Sequence, residues 1–396
     1  MILDSAGHLL VVDSGNGVII IVLAGGDCDS VISTKKLIAD TTLNHGLALS
    51  DDGKKLYASN SDVVYSWDYD AASQTVSNIA KIVTGMLTDD HTTRTLLLSK
   101  SLPGKLIVSR GSTSNIDVES AQLSSGHAQI RYFDASGTGQ DWMSGQLIGW
   151  GLRNSVGIAE HPVDGGLFSV ENSADEIRRN GVDIHQDNPA EELNYHGSLK
   201  NPSLNGGKQG DTANFGYPSC FAAWQASSIH SGSFQTGDQF SIDGTVAGYG
   251  SAQDDQCKSS HIAPRLVFHP HMAPLDIKFT PEGSTAYVSL HGSWDSAAPV
   301  GYKLGAVAFG ANGMPLEMAT SMTAVKDVMT NPDISKCPGA CFRPAGLLIG
   351  AAGQVYMTSD ATGEIWVVRQ GGGRNGTVGA ATGTAGSATG TAISKS

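Results

Sequence analysis

The residues of this chain able to do chemistry fall into a few short stretches. His91 and Arg94 stand three apart in His-Thr-Thr-Arg, Arg153 and Asn154 are adjacent in Gly-Leu-Arg-Asn, His291 and Trp294 frame His-Gly-Ser-Trp, and Arg343 lies in Cys-Phe-Arg-Pro. The densest segment is 151–197, which runs from Arg153-Asn154 to a polar corner at 171–176 and on to a second acidic run at Glu191-Glu192. Three arginines gathered without a matching set of carboxylates leave positive charge that is costly to bury. A polyanion would neutralise it, because guanidinium forks bind carboxylates bidentately, and Trp294 could stack on a planar ring. His91 is the candidate general base, since imidazole titrates near neutral pH and a neighbouring guanidinium keeps it unprotonated. The corner at Asn172, Ser173, Ala174 and Asp175 offers oxygens to calcium, which accepts backbone carbonyls, although it lacks the EF-hand pattern. This chemistry is that of a charged, ring-shaped cofactor held against a metal ion. The alternative is that each arginine pairs with a surface carboxylate and His91 is structural.

The elements that would position these residues repeat along the chain. A short apolar strand, a glycine-containing turn and a second strand ending in Ser, Thr or Asp recur at 3–12, 46–59, 103–109, 156–169, 275–289 and 345–359. Irregular repeats of one hairpin unit at this period predict an all-β, six-bladed β-propeller. Strand ends in such a ring converge on its axis, which would gather the scattered residues into one site. A pair of β-sandwiches is the structural alternative.

The composition agrees with many short strands, with 49 glycines, 40% hydrophobic and 16% charged residues among 396. A net charge of -13 argues against nucleic acid or an anionic membrane as partner. No apolar run reaches the roughly 18 residues of a spanning helix, and a monomer is expected. Segment 200–258 is polar and reads as a functional loop without strand pattern. From 371 onward the chain is Gly, Ala, Ser and Thr, which predicts a disordered tail, 371–396, after a domain at 1–370. The five cysteines are read as Cys337–Cys341, Cys220–Cys257 and an unpaired Cys28 in an oxidising compartment, or as five free thiols in a reducing one.

At these residues the sequence resembles the fungal pyrroloquinoline quinone-dependent pyranose dehydrogenases, relatives of soluble quinoprotein glucose dehydrogenase and of L-sorbosone dehydrogenase-like proteins. The resemblance runs to about Gln370. It rests on Asn44-His45-Gly46-Leu47, His91-Thr92-Thr93-Arg94, Gly151-Leu152-Arg153-Asn154, Pro189-Ala190-Glu191-Glu192-Leu193-Asn194, Phe215-Gly216-Tyr217-Pro218, His291-Gly292-Ser293-Trp294 and Arg343-Pro344-Ala345-Gly346. It implies a quinone across the propeller axis and a calcium ion held by the main-chain oxygens of Ser173 and Ala174. His91 would be the base and Arg153 would stabilise charge on the quinone oxygen. Arg94, Arg343 and Asn154 would hold the cofactor, with His291 and Trp294 beside it. The substrate would be a small sugar, the electron acceptor a separate protein such as a cytochrome, and the location extracellular. The family commonly has Asn-Arg where this chain has Asp295-Ser296. It also has a signal peptide and an earlier cysteine, so a truncated first blade, with Cys28 bereft of its partner, is expected. Glu191-Glu192 is read as a blade-edge or second-metal feature. Two further readings compete: a calcium-dependent lactonase-type hydrolase, and a non-catalytic propeller that binds carbohydrate or protein.

Overall fold

In the computed structural model the described residues are 1–24, 30–88, 90–200, 208, 210–243, 253–369 and the backbone of 389–393. They form a six-bladed β-propeller, each blade an antiparallel sheet with four strands in chain order. The first three blades run Ile2–Leu3 to Val31–Ile38, Leu47–Leu49 to Thr75–Thr84 and Leu96–Leu98 to Gln146–Trp150. The others run Ser155–Glu160 to Leu266–Phe268, Pro274–Phe279 to Val325–Thr330 and Pro344–Ile349 to Thr389–Ile393. Gln140–Asp141 adds a parallel fifth strand to the second blade.

The second strand of each blade explains the apolar runs seen in the sequence. Successive side chains point to opposite faces of a strand, and both faces of a blade are covered by its neighbours. Leu106 and Val108 thus pack into the second blade with Tyr57 and Val64, while Ile107 packs into the fourth with Ile158 and Leu167. In the fifth blade Ala286, Val288 and Leu290 face Phe168 and Val170, and Tyr287 faces Leu347 and Met357. Each fully buried aliphatic chain contributes about 2 kcal/mol. Gly104 and Gly353 turn the hairpins with φ of 82° and 80°, a region open to glycine without strain.

The first blade has four strands, the innermost being only Ile2–Leu3. Two expectations change. The segment expected as a disordered tail contributes Thr389–Ile393, paired antiparallel with Ile365–Arg369. The expected strandless loop contains a strand pair, Cys220–Ala222 with Gln239–Ser241, and a helix, Asp254–Ser260, joined by the Cys220–Cys257 disulfide. Phe221, Phe240 and Tyr217 of this insertion pack on Ile177 and Ile184, so it backs the loop after the second strand of the fourth blade. The buried Arg179 locks the two together through a bidentate pair with Asp254, at 2.8 and 2.5 Å. The Cys337–Cys341 bridge also forms, whereas Cys28 lies outside the described residues. Among the described residues no helix is long and apolar enough to cross a membrane.

Candidate active site

The loops that enter the first strand of each blade and leave the second all open at one end of the ring, opposite the glycine hairpins. His91 is on such a loop, ahead of Leu96–Leu98. Its Nδ1 lies 3.0 Å from the Ser112 carbonyl and 2.9 Å from the Ser112 hydroxyl. A carbonyl only accepts, so that bond places the proton on Nδ1 and leaves the Nε2 lone pair exposed. Nε2 bonds to no described residue. Burial first, and the Arg153 guanidinium second, push the His91 pKa down to about 4, so the ring is a neutral proton acceptor at pH 7. Gly111 lies against both His91 and Asn154: a Cβ there would meet His91 Cβ at 2.7 Å and Asn154 Oδ1 at 2.8 Å.

Arg153 is buried at the entry to Ser155–Glu160 and held from every side. Its Nε donates to Asn115 O at 3.0 Å, Nη1 to Ser173 O at 2.6 Å, and Nη2 to Asn115 Oδ1 at 2.9 Å and Asp175 Oδ2 at 3.1 Å. Its own amide donates to Glu171 Oε1 at 2.8 Å. Arg153 and Ser173, placed on quinone and metal by the sequence, therefore touch. The adjacent Asn154 side-chain amide bonds to no described residue, nor does the Ala174 carbonyl.

The other half of the site comes from the fifth and sixth blades. Arg343 donates from Nη2 to Gly292 O at 2.6 Å and from Nε to His291 O at 3.3 Å, with its guanidinium 5.3 Å from the centre of the Tyr302 ring. Its Nη1 bonds to no described residue. His291 turns its Nε2 to Asp360, 2.9 Å away. The halves meet where ligand atoms of Asp175, His271 and Asp295 lie within 4.8 Å of one another. Burial outweighs the neighbouring Arg153 and raises the Asp175 pKa, and Asp295 Oδ2 is buried without a hydrogen-bond partner. Carboxylates and a free carbonyl suit a hard divalent cation, so these residues fit calcium. The unengaged Asn154 amide, the Arg343 Nη1 and the His91 Nε2 fit a planar, anionic ring with carbonyl oxygens.

The remaining assigned residues are placed as follows. Arg94 is 0% exposed and donates to the Met86, His91 and Thr93 carbonyls, at 2.6, 2.8 and 2.6 Å, so it clamps the His91 loop and has no free face for a carboxylate. Burial lowers its pKa to about 9. Trp294 is 71% exposed and stacks on nothing among the described residues. Glu191 and Glu192 are not at a blade edge: both are buried in the fourth blade, where burial raises their pKa values to about 8 and about 7. Sequence reasoning missed Gly111, Ser112, Asn115, His271 and Asp295 in the site, since each becomes meaningful only beside a residue distant in the chain.

A family model described as TrAA12-like matches residues 1–371. The pyrroloquinoline quinone-dependent sugar dehydrogenase of Hypocrea jecorina (strain QM6a) is 46% identical over 380 residues, covering 93% of this chain and 84% of that protein. The pyrroloquinoline quinone-dependent pyranose dehydrogenase of Coprinopsis cinerea is 39% identical over 388 residues, covering 93% of this chain and 51% of that protein, so the chain spans about half its length. The calcium structure of the Trichoderma reesei enzyme of Carbohydrate-Active Enzymes Family AA12 superposes with a TM-score of 0.87 at 47% identity, covering 92% of this chain and 91% of that one. With its propeller ring and its loop-built site, the chain belongs to this TrAA12-like family, among the fungal pyrroloquinoline quinone-dependent sugar dehydrogenases.

Proposed function

We propose that this chain oxidises a small sugar, a pyranose or ketoaldose, with pyrroloquinoline quinone as its bound oxidant. One observation carries the reading: a neutral imidazole with a free Nε2 sits beside a fixed guanidinium and an unengaged amide, at the loop end of a propeller of this family. When bound, the quinone supplies the acceptor for the hydride that leaves the sugar carbon. His91 takes the hydroxyl proton at Nε2 while the Ser112 carbonyl holds the ring in the required tautomer. Arg153 is fixed by Asn115, Asn172, Ser173 and Asp175, which take all of its N–H groups, so its positive charge stabilises negative charge on an acceptor oxygen through its field, from a position that needs no reorganisation. Asn154 donates beside it, and Arg343 and His291 lie on the opposite side to hold a carboxylate. Calcium would be held by the Ser173 and Ala174 carbonyls together with the Asp175 and Asp295 carboxylates, and would neutralise that pair.

Electrons then pass to a separate redox protein such as a cytochrome, and residues 1–370 act as the quinoprotein unit. The two disulfides support an extracellular location. The reading is tested by titrating quinone-free protein with pyrroloquinoline quinone, with and without calcium, and following absorbance. Dye reduction is then measured with a panel of aldoses and ketoaldoses. Calcium-dependent uptake and sugar-dependent reduction are expected. No uptake, or lactone hydrolysis by the quinone-free protein, would overturn it.

A further inference from the structure

A run of hydrogen bonds joins the two halves of the site, and one link in it is the carboxyl group of Glu191. From His91 the run passes through Ser112, whose amide donates to Arg153 O at 2.8 Å, and through the Arg153 side chain to Ser173 O. The Ser173 amide donates to Glu191 Oε2 at 2.7 Å, and Glu191 Oε1 accepts from the Ala273 amide at 3.1 Å. Ala273 O accepts from the His291 amide at 2.9 Å, and the carbonyls of His291 and Gly292 receive Arg343. Glu191 therefore fastens the loop of the fourth blade, carrying Ser173 and Asp175, to the loop entering the fifth, carrying His271. The latter loop has little intrinsic preference for its shape, since His271 and Ala273 have φ of 65° and 50°. A parallel tie exists between Asn172 Nδ2 and Pro274 O, at 2.7 Å.

We propose that Glu191 is a positioning residue: it sets the register of the His91–Arg153 half of the site against the His291–Arg343 half. Its 5% exposure leaves no room for a substrate or cofactor, so it acts only through the amides it accepts. This rests on the reading of the site as a quinone site, because a ligand spanning both halves is what the register would serve.

Glu191→Gln preserves size but turns an amino group toward an amide donor, which breaks one of the two links. The first measurement is hydrogen exchange in the quinone-free protein. Peptides containing Ser173 and Ala273 should exchange at least tenfold faster in E191Q, with blade cores unchanged. The second is quinone titration at fixed calcium: half-saturation should rise about tenfold, while KM for the sugar in the loaded enzyme changes less than twofold. Unchanged exchange and unchanged half-saturation would overturn the proposal. So would a lowered Tm with quinone half-saturation as in wild type, since that is a purely structural role. If E191Q does not fold, Asn172→Ala cuts the parallel tie and leaves the Glu191 side chain in place. It should raise half-saturation about threefold, and no rise would overturn the proposal. If wild-type protein takes up no quinone, the underlying reading fails, while the exchange result still judges the role of Glu191 separately.

Discussion

Replacing Gly111 with alanine crowds the base and the neighbouring Asn154 amide together. The added methyl would lie 2.7 Å from His91 Cβ, 3.2 Å from His91 Cγ and 2.8 Å from Asn154 Oδ1. Carbon atoms settle at about 3.5–4.0 Å, so the imidazole and the amide must each withdraw by roughly 1 Å. Gly111 itself is anchored through its carbonyl to the Ala128 amide, and His91 Cβ moves only with its own main chain, so the His91 loop shifts along with the Asn154 amide. A misplacement of about 1 Å costs on the order of 100-fold in rate, or about 2.7 kcal/mol of barrier. The overpacking lowers stability by about 1–3 kcal/mol, which leaves a folded enzyme. The assay is dye reduction by protein loaded with quinone and calcium, at saturating sugar. A fall in kcat of about 100-fold is expected, with KM changed far less. Gly339→Ala is the control, because a Cβ there meets only Lys336 O, at 3.9 Å. Should G111A turn over within twofold of wild type, the placement of His91 is not what limits the reaction, and the assignment of the base fails.

Three further outcomes are expected. Arg153→Lys keeps the charge but cannot reach Asn115, Ser173 and Asp175 together, so kcat/KM should fall at least 100-fold, and a loss under threefold would refute the role given to the fork. Because burial and Arg153 depress the His91 pKa from 6.5 to about 4, the folded state favours the neutral ring; the stability this confers is complete above pH 6.5 and is lost as pH falls toward 4, at most about 3 kcal/mol. Tm of quinone-free His91→Gln should therefore drop less than wild type between pH 6.5 and 4, and parallel curves would contradict the buried, neutral ring. Trp294→Ala, at a side chain 71% exposed, should leave Tm within about 1 °C of wild type and raise KM for the sugar more than quinone half-saturation; the reverse order would return Trp294 to the cofactor.

The fold was legible because its signals are local. Each blade announces itself within about fifteen residues, as an apolar second strand after a glycine turn, and the cysteine pairs at 337 and 341 and at 220 and 257 close as their positions suggested. The site was only half legible. His91, Arg153, Asn154 and Arg343 stand out as residue types that need a reason to be buried or half-buried. Arg94 misled because its acceptors are carbonyls at 86, 91 and 93, which leave no trace in the residue types around it. Glu191 misled in the opposite sense: an acidic pair normally lies on a solvated face, whereas this one sits on an interior strand of its blade and is met by the amide of Ala273, 82 residues away. Asp175, His271 and Asp295 likewise form a cluster only after two blades close on each other.

Apart from Asn115 and Asp175, the site's arginines are met mostly by peptide oxygens: Met86, His91 and Thr93 for Arg94, Ser173 and Asn115 for Arg153, and His291 and Gly292 for Arg343. An oxygen of that kind is supplied by any amino acid that keeps the chain's path. Mutational drift can thus replace many of the contributing residues without removing an acceptor, provided the turns hold their shape. The arrangement makes the site tolerant of sequence divergence and intolerant of insertion or deletion. Length changes in the loops at 86–95, 172–175 and 291–293 should be counter-selected more strongly than substitutions within them.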